Sequence, residues 1–258
     1  MEVVILPGPD EVARVAARRI AEAVRRRPDA VVGLATGSSP LGLYAELARQ
    51  VAAGWLDVSG IRGFGLDEYV GLPPGHPQSY ASVLRRTVVQ PLGLDPARVH
   101  VPDGGAADLD AAAAGFERRI EAAGGIDVQI LGIGANGHIG FNEPTSSLSS
   151  RTRVKTLAPR TRADNARFFG SPEDVPVHCL TQGLGTILEA RELVLVAQGR
   201  AKADAVAAAV EGPLSSMCPA SVLQLHPRAG VYLDEAAAAR LRLADYYRHT
   251  WAHRPGGG

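Results

Sequence analysis

The residue types best suited to proton transfer lie in one glycine-rich stretch, residues 131–144, which contains Asn136, His138 and Glu143. The stretch follows the apolar run 126–130, which predicts a buried strand. Histidine is the side chain most easily tuned to move protons near neutral pH, and Glu143 can orient it or share its work. The backbone can approach a ligand closely at four glycines: Gly132, Gly134, Gly137 and Gly140. Because open α/β sheets bind ligands beyond the carboxyl ends of their strands, the pattern predicts acid–base chemistry there.

Other interpretations of this stretch are weaker or stay open. A glycine-rich turn whose histidine satisfies a carbonyl remains an alternative. His138 and Glu143 are five positions apart, not on one helical face, and no second ligand pair lies nearby, so we predict no metal site. The glycines do not follow the G-x-G-x-x-G order and no helix clearly starts among them, which disfavours a dinucleotide. We therefore expect no cofactor.

A second polar stretch, residues 33–40, predicts a phosphate site. It places Thr36, Gly37, Ser38 and Ser39 between the apolar strand 30–34 and a helix through Leu43 and Leu47. Backbone N–H groups and hydroxyls at a helix N-terminus bind anions. Helix capping alone needs only one of these hydroxyls. The stretch lacks the Gly-Lys-Ser/Thr ending of a P-loop, so a nucleoside triphosphate is not expected.

Asp67 and Glu68 follow a third predicted strand, residues 61–66. Carboxylates just past a strand end are well placed for a crevice, where one of them could be a general base. Turn formation is an equal alternative, since Asp is common at strand exits.

Only two of the 27 basic residues are lysines, Lys155 and Lys202; the other 25 are arginines. A compact ammonium suits a phosphate as a point charge, although chance stays an alternative. Lys202 lies in the predicted first turn of a helix over 201–210, where a cation is unfavourable unless an anion is bound.

Strand-like and helix-like segments alternate throughout, which predicts one α/β domain over residues 1–253 and a disordered tail at 254–258. Among the other predicted elements are a helix capped by Asp10, helical spacing at 181–188, an irregular segment at 215–224 and a helix over 234–251. Residues 71–90 or 145–180 could form a lid over the site.

Composition narrows the class of protein. The chain has 27 basic and 27 acidic residues, so its formal net charge is zero. It therefore lacks the excess of positive charge that binding to nucleic acid or an anionic membrane would favour. No apolar segment is long enough to span a bilayer, and no signal segment opens the chain. Two cysteines without a C-x-x-C spacing favour a reducing cytoplasmic location, while a disulfide between Cys179 and Cys218 stays open.

With these residues in place, the chain resembles the glucosamine-6-phosphate deaminase (isomerase) family along almost its whole length. The matching blocks occur in the family's order: GLATGSSP at 33–40, GLDEYVGL at 65–72, GIGANGHIGFNEP at 132–144 and SRTRVKTL at 150–157, with VEG at 210–212 and LQLHP at 223–227. The resemblance implies a three-layer α/β/α sandwich with a modified Rossmann-like, mostly parallel sheet.

The resemblance also implies the reaction: D-glucosamine 6-phosphate and water give D-fructose 6-phosphate and ammonia, in amino sugar (N-acetylglucosamine) catabolism. It assigns Asp67 as the base that moves a proton from C2 toward C1. It assigns His138 to ring opening, with Glu143 as its partner and Asn136 assisting. The positions that match substrate phosphate binding are Thr36, Gly37, Ser38, Ser39, Arg167 and Lys202.

Regulation is a further implication. Hexameric members of the family are activated by N-acetylglucosamine 6-phosphate at subunit interfaces. The matching positions here are Ser146, Arg153, Lys155 and Thr156, which leads to the hypothesis of an allosteric homo-hexamer. Asn136 is evidence against an allosteric hexamer. Some members of the family carry Asp at this position, and the members with Asn are associated with unregulated monomers. Asn cannot take a proton, so the pH dependence of ring opening should be simpler.

Two rival functions remain. A 6-phosphogluconolactonase has a related fold and a similar glycine–histidine loop, but needs no C2 base; the residues DEYVG at 67–71 and FNEP at 141–144 speak against it. A non-catalytic sugar-phosphate sensor of a transcription regulator would need a DNA-reading module, and no helix-turn-helix precedes the first predicted strand.

Overall fold

A computed structural model describes residues 1–254. Its main sheet has seven parallel strands in the order β1-β10-β9-β6-β2-β3-β5. Most of these strands are apolar along their length, as expected of a sheet covered on both faces. Their bounds are β1 Glu2–Leu6, β2 Val31–Leu34, β3 Arg62–Gly65, β5 Val99–His100, β6 Val128–Leu131, β9 Leu193–Ala197 and β10 Ala229–Asp234.

Helices cover both faces of this sheet. The helices are α1 Pro9–Arg26, α2 Leu41–Ala52, α3 Tyr80–Leu84, α4 Gln90–Leu92, α5 Leu109–Ala122, α6 Pro159–Asn165, α7 Leu184–Leu188, α8 Ala203–Val210 and α9 Ala244–Ala252. On one face, side chains of β2 and β6 pack with α1, α2 and α4. On the other, side chains of β9 and β10 pack with α8 and a 3-10 segment, Pro219–Leu225. The predicted three-layer α/β/α sandwich with a Rossmann-like sheet is therefore confirmed.

A second, smaller sheet lies beside the first and was not predicted. It is antiparallel, in the order β4-β8-β7, with β4 at Asp67–Tyr69, β7 at Arg153–Thr156 and β8 at His178–Thr181. It has its own core, formed by Tyr69, Phe141, Leu157, Val175 and Cys179. This sheet carries Asp67, so its geometry bears directly on the predicted site.

Several predicted elements were wrong in their bounds. Helix α1 begins at Pro9 after the cap residue Gly8, and Asp10 lies within its first turn, where a negative charge is favourable. Residues 181–188 are not one helix: Thr181 ends strand β8, and α7 begins at Leu184. The segment predicted as irregular at 215–224 contains the 3-10 helix that begins at Pro219.

The predicted helix over 234–251 is also shorter than expected. Strand β10 continues to Asp234, turns follow, and α9 begins only at Ala244. The Asp234 carboxylate accepts hydrogen bonds from the N–H groups of Gly199 and Ala237, which ties the chain into turns at this point. Lys202 likewise lies in a 3-10 turn, Arg200–Lys202, and is the cap residue of α8.

Both cysteines are free thiols, so the disulfide alternative is not realised. Across residues 1–254, no helix has both the length and the apolar character that crossing a membrane requires. The predicted disordered tail lies outside the described residues except for Arg254, whose guanidinium lies 3.6 Å from the centroid of the Trp251 ring.

Candidate active site

A cleft of about 150 Å³ opens beyond the carboxyl ends of β2, β3 and β6. It brings together predicted residues that are far apart in sequence, because parallel strands present their carboxyl ends at one edge of the sheet. The predicted residues that line it are Thr36, Gly37, Ser38, Ser39, Asp67, His138, Arg167 and Lys202. The lining also includes polar and aromatic side chains that were not predicted as site residues: Tyr80, Phe141, Thr161, Asp164 and Asn165.

Asp67 is buried at the wall of this cleft, with 5% of its surface exposed. Burial raises the pKa of its carboxyl well above the usual value, and the nearby Glu68 carboxylate adds to the increase. The Phe141 N–H group opposes it. A carboxylate with a raised pKa is a stronger base, which is the property that proton abstraction from carbon requires.

Glu68 has a different role from its neighbour. Successive residues of a strand point to opposite faces, so the two carboxylates diverge. Glu68 Oε1 accepts hydrogen bonds of 2.8 Å from the N–H groups of Tyr69 and Tyr80, and Oε2 accepts one of 2.9 Å from Ala81. It therefore holds the N-terminus of α3, and of the two carboxylates only Asp67 lines the cleft.

Asn136, His138 and Glu143 form one hydrogen-bonded group. Asn136 Nδ2 donates to Glu143 Oε2 over 2.7 Å, and the backbone N–H of His138 donates to Asn136 Oδ1 over 3.2 Å. His138 Nδ1 lies 3.7 Å from Glu143 Oε2. The other Glu143 oxygen accepts from the Ala158 N–H over 3.1 Å.

The Glu143 carboxyl has a pKa of about 2. Burial acts to raise this pKa, but the contacts with His138, Thr161 and Asn136 outweigh it. Glu143 is therefore ionised at neutral pH and faces the imidazole as an anion.

At Gly134 and Gly140 of the stretch, neighbouring atoms lie so close to the backbone that a side chain would meet them. A Cβ atom at Gly134 would lie 2.2 Å from Cε1 of the His138 ring, so the imidazole occupies the space of a side chain there. Gly140 has a φ of +53°, and a Cβ atom on it would lie 3.0 Å from Thr181 Oγ1 and 3.8 Å from Asp67 Oδ2. The loop therefore packs directly onto the small sheet.

Two cationic side chains also line the cleft, Arg167 and Lys202. Helix α2 begins at Leu41, and its cap residue is Pro40. No side-chain hydrogen bond from Pro40 caps the first turn of this helix. Arg167 and Lys202 line the same cleft as residues 36–39. Burial lowers the pKa of Lys202, the Asp164 carboxylate opposes this, and the Arg167 guanidinium adds to it. Cations that share a cleft with a Gly/Ser/Thr loop at a helix N-terminus suit a phosphate.

None of the four residues predicted to bind a regulatory phosphate is among those lining this cleft. The Ser146 hydroxyl is buried and donates to the Glu143 carbonyl over 2.7 Å. Arg153 Nη1 donates to Asn142 Oδ1 over 2.9 Å. Lys155 is half-buried on β7, and Thr156 is exposed at its end. Within residues 1–254, no group of three or more His, Cys, Asp or Glu side chains is arranged to hold a metal ion.

Known proteins identify the family. The sequence model of a family described as glucosamine-6-phosphate isomerases/6-phosphogluconolactonase matches residues 9–232. The chain belongs to this family. It is 61% identical over 254 residues to a glucosamine-6-phosphate deaminase of Cutibacterium acnes, covering 98% of this chain and 97% of the relative. It is 58% identical over 256 residues to one of Streptomyces coelicolor, covering 99% and 98%.

Solved structures of the family agree with the fold. One described as a monomeric glucosamine-6-phosphate deaminase superposes with a TM-score of 0.91 at 41% identity, covering 93% of this chain and 100% of that one. A 6-phosphogluconolactonase from Trypanosoma cruzi superposes with a TM-score of 0.76 at 19% identity, covering 93% and 97%. At that identity the lactonase shares the fold alone.

Proposed function

We propose that this chain is a glucosamine-6-phosphate deaminase, converting D-glucosamine 6-phosphate and water to D-fructose 6-phosphate and ammonia. The observation that carries the proposal is that one cleft contains a buried carboxylate, Asp67, an imidazole, His138, and two cations, Arg167 and Lys202. An aldose–ketose isomerisation of a phosphorylated sugar needs these three elements: a base, a group that opens the ring, and a phosphate anchor. The identities of 58–61% with named deaminases support the same reaction.

The first step is opening of the pyranose ring. His138 takes the proton of the anomeric O1 hydroxyl and returns a proton to the ring oxygen, which leaves C1 as an aldehyde. The ionised Glu143, 3.7 Å from His138 Nδ1, stabilises the imidazolium that forms on the way. Asn136 keeps Glu143 in place through its 2.7 Å hydrogen bond and does not itself exchange protons.

The second step is proton transfer along the carbon chain. Asp67 removes the proton from C2 while the protonated amino group of the substrate gives a proton to O1, which leaves a neutral enolamine with a double bond between C1 and C2. Asp67 then returns the proton to C1, so that C2 becomes an iminium carbon. Water adds to C2, the C–N bond breaks, and ammonia leaves as the ketose forms.

The phosphate end holds the substrate while these steps occur. Thr36, Gly37, Ser38 and Ser39 supply N–H groups and hydroxyls, while Arg167 and Lys202 supply charge. Fixing the remote phosphate positions C1 and C2 against the acid–base groups, which is how binding energy from a non-reacting group accelerates a reaction.

Regulation stays a prediction of the resemblance. For an N-acetylglucosamine 6-phosphate activator to bind at Ser146, Arg153, Lys155 and Thr156, the Ser146 hydroxyl would have to leave the Glu143 carbonyl. Arg153 could keep its bond from Nη1 to Asn142 and donate to the phosphate through Nη2, which makes no hydrogen bond within residues 1–254. Sedimentation with and without this sugar phosphate tests the hypothesis of a hexamer. A monomer at working concentration would remove the interface site.

Product analysis tests the proposed reaction. Incubation with D-glucosamine 6-phosphate should release ammonia and D-fructose 6-phosphate in equal amounts, while 6-phosphogluconolactone should not be hydrolysed above its spontaneous rate. Lactone hydrolysis without ammonia release would favour the lactonase. Binding of D-glucosamine 6-phosphate without turnover would favour the sensor.

A further inference from the structure

The small antiparallel sheet places three polar residues in one row. Thr181 of the central strand β8 pairs directly with Asp67 of β4 on one side and with Arg153 of β7 on the other. Directly paired residues of neighbouring strands present their side chains on the same face of a sheet. The proposed base therefore shares a row with a threonine and an arginine that do not line the cleft.

The turn Ile139–Asn142 lies on this row. The Phe141 N–H donates to Thr181 Oγ1 over 3.0 Å, and Arg153 Nη1 donates to Asn142 Oδ1 over 2.9 Å. The Asn142 amide is fully buried and donates to the carbonyls of Ile139 and Gln182 over 3.0 Å and 2.7 Å. The turn is thus hydrogen-bonded to strand β8 through Thr181 and to strand β7 through Arg153, with a further bond from Asn142 to the carbonyl of Gln182, the residue after β8.

His138 precedes this turn and Glu143 follows it, so its position sets theirs relative to Asp67. In the proposed reaction the two sets of groups act on adjacent parts of one substrate, His138 on O1 and Asp67 on C2. A displacement of about 1 Å between catalytic groups can cost on the order of 10²-fold in rate. The contacts that hold the turn on the sheet therefore bear directly on catalysis.

We propose that Thr181 and Arg153 are positioning residues of the deaminase, which hold the turn Ile139–Asn142 on the small sheet and so fix His138 and Glu143 relative to Asp67. The inference rests on the proposed function. It gives Arg153 a role inside one chain that needs neither an activator nor a second subunit. It also explains why Gly140 must lack a side chain, since the turn closes onto Thr181 and Asp67 at that residue.

Thr181→Val is the sharpest test, because it removes the acceptor oxygen and keeps the shape of the side chain. We expect kcat for ammonia release to fall on the order of 10²-fold, with KM changed less than about threefold because no phosphate-binding residue is touched. Thr181→Ser keeps the oxygen and should restore kcat to within a few-fold of wild type. Thr87→Val is a matched control: it removes a hydroxyl that donates to the Val83 carbonyl over 2.8 Å, in a helical segment outside the cleft lining.

Arg153→Met removes the other bond to the same turn, the one to Asn142, and leaves Thr181 intact. It therefore tests the inference even if Thr181→Val does not fold. Assayed without any N-acetylated sugar phosphate, it should lower kcat with little change in KM. In the double variant the two losses should not multiply, because both changes release the same turn.

The inference would be overturned by wild-type kcat in both single variants, by a Thr181→Ser variant as impaired as Thr181→Val, or by losses confined to KM. Failure of the proposed function has a different signature, because the wild-type enzyme would then release no ammonia.

Discussion

The side-chain amide of Asn136 donates a 2.7 Å hydrogen bond to the Glu143 carboxylate, the group that faces the imidazole of His138. An amide can orient this carboxylate but cannot exchange a proton with it. Proton transfer in ring opening therefore depends on His138, while Glu143, whose pKa is about 2, is an anion at neutral pH.

Asn136→Asp should change the pH dependence of the reaction. A second carboxylate beside Glu143 makes the two share a proton, which raises the pKa of the pair. The acidic limb of kcat/KM, measured by ammonia release from pH 4 to 9, should therefore move to higher pH. An unchanged limb would show that position 136 is not coupled to the group that opens the ring.

Glu143→Gln should reduce stability at neutral pH and lose that effect in acid. The folded-state pKa of about 2 lies below the usual 4.5, so the carboxylate stabilises the fold above pH 4.5 and this contribution disappears as the pH falls toward 2. At about 1.4 kcal/mol per unit, the contribution is roughly 3 kcal/mol. Urea unfolding at pH 7 and pH 3 should show the gap between wild type and variant narrowing; a constant gap would contradict the depressed pKa.

Gly134→Ala should displace the imidazole of His138, because the new Cβ atom would lie 2.2 Å from its ring. We expect kcat to fall on the order of 10²-fold. Gly115→Ala on helix α5 is the control, since the nearest atom to its Cβ is a flexible arginine terminus at 3.7 Å. That change should leave kcat unchanged and raise the free energy of unfolding by about 0.5–1 kcal/mol, as Gly-to-Ala changes within helices do. Wild-type turnover in Gly134→Ala would contradict the packing of His138 on Gly134.

Asp67→Asn should stabilise the protein at pH 7. Because burial raises the pKa of Asp67 above its usual 3.8, ionising this carboxyl costs the folded state free energy as the pH rises above that value. Asn removes this cost, so the free energy of unfolding should exceed that of wild type at pH 7, with the difference closing toward pH 3.8. A less stable variant at pH 7 would mean that the ionised carboxylate is well solvated or paired.

The convergence of residues 36–39, Asp67 and His138 in one cleft was predictable from the sequence. Apolar strands that each end in glycine and polar residues place those residues at a common edge, because the strands of the main sheet are parallel. Lys202 was also predictable as part of the cleft. A cation near the start of a helix is unfavourable to the helix dipole unless an anion binds beside it.

The small sheet was not predictable in the same way. Strand β4 has only three residues, and its partner Thr181 lies more than a hundred positions along the chain. Thr181 was assigned to a helix because the apolar residues that follow it have helical spacing. The sequence also predicts a helix over 234–251, but the bonds of the Asp234 carboxylate to the N–H groups of Gly199 and Ala237 hold a series of turns at its start. In each case a tertiary contact overrides the local preference.

The most direct test of the central claim is turnover of D-glucosamine 6-phosphate by wild type and Asp67→Asn, with ammonia and D-fructose 6-phosphate measured together. Wild type should release both products. The variant should be folded, should bind D-fructose 6-phosphate by calorimetry, and should lose turnover by at least about 10³-fold, because an amide cannot take the C2 proton. A folded Asp67→Asn variant that still releases ammonia at the wild-type rate would contradict the assignment of Asp67 as the base.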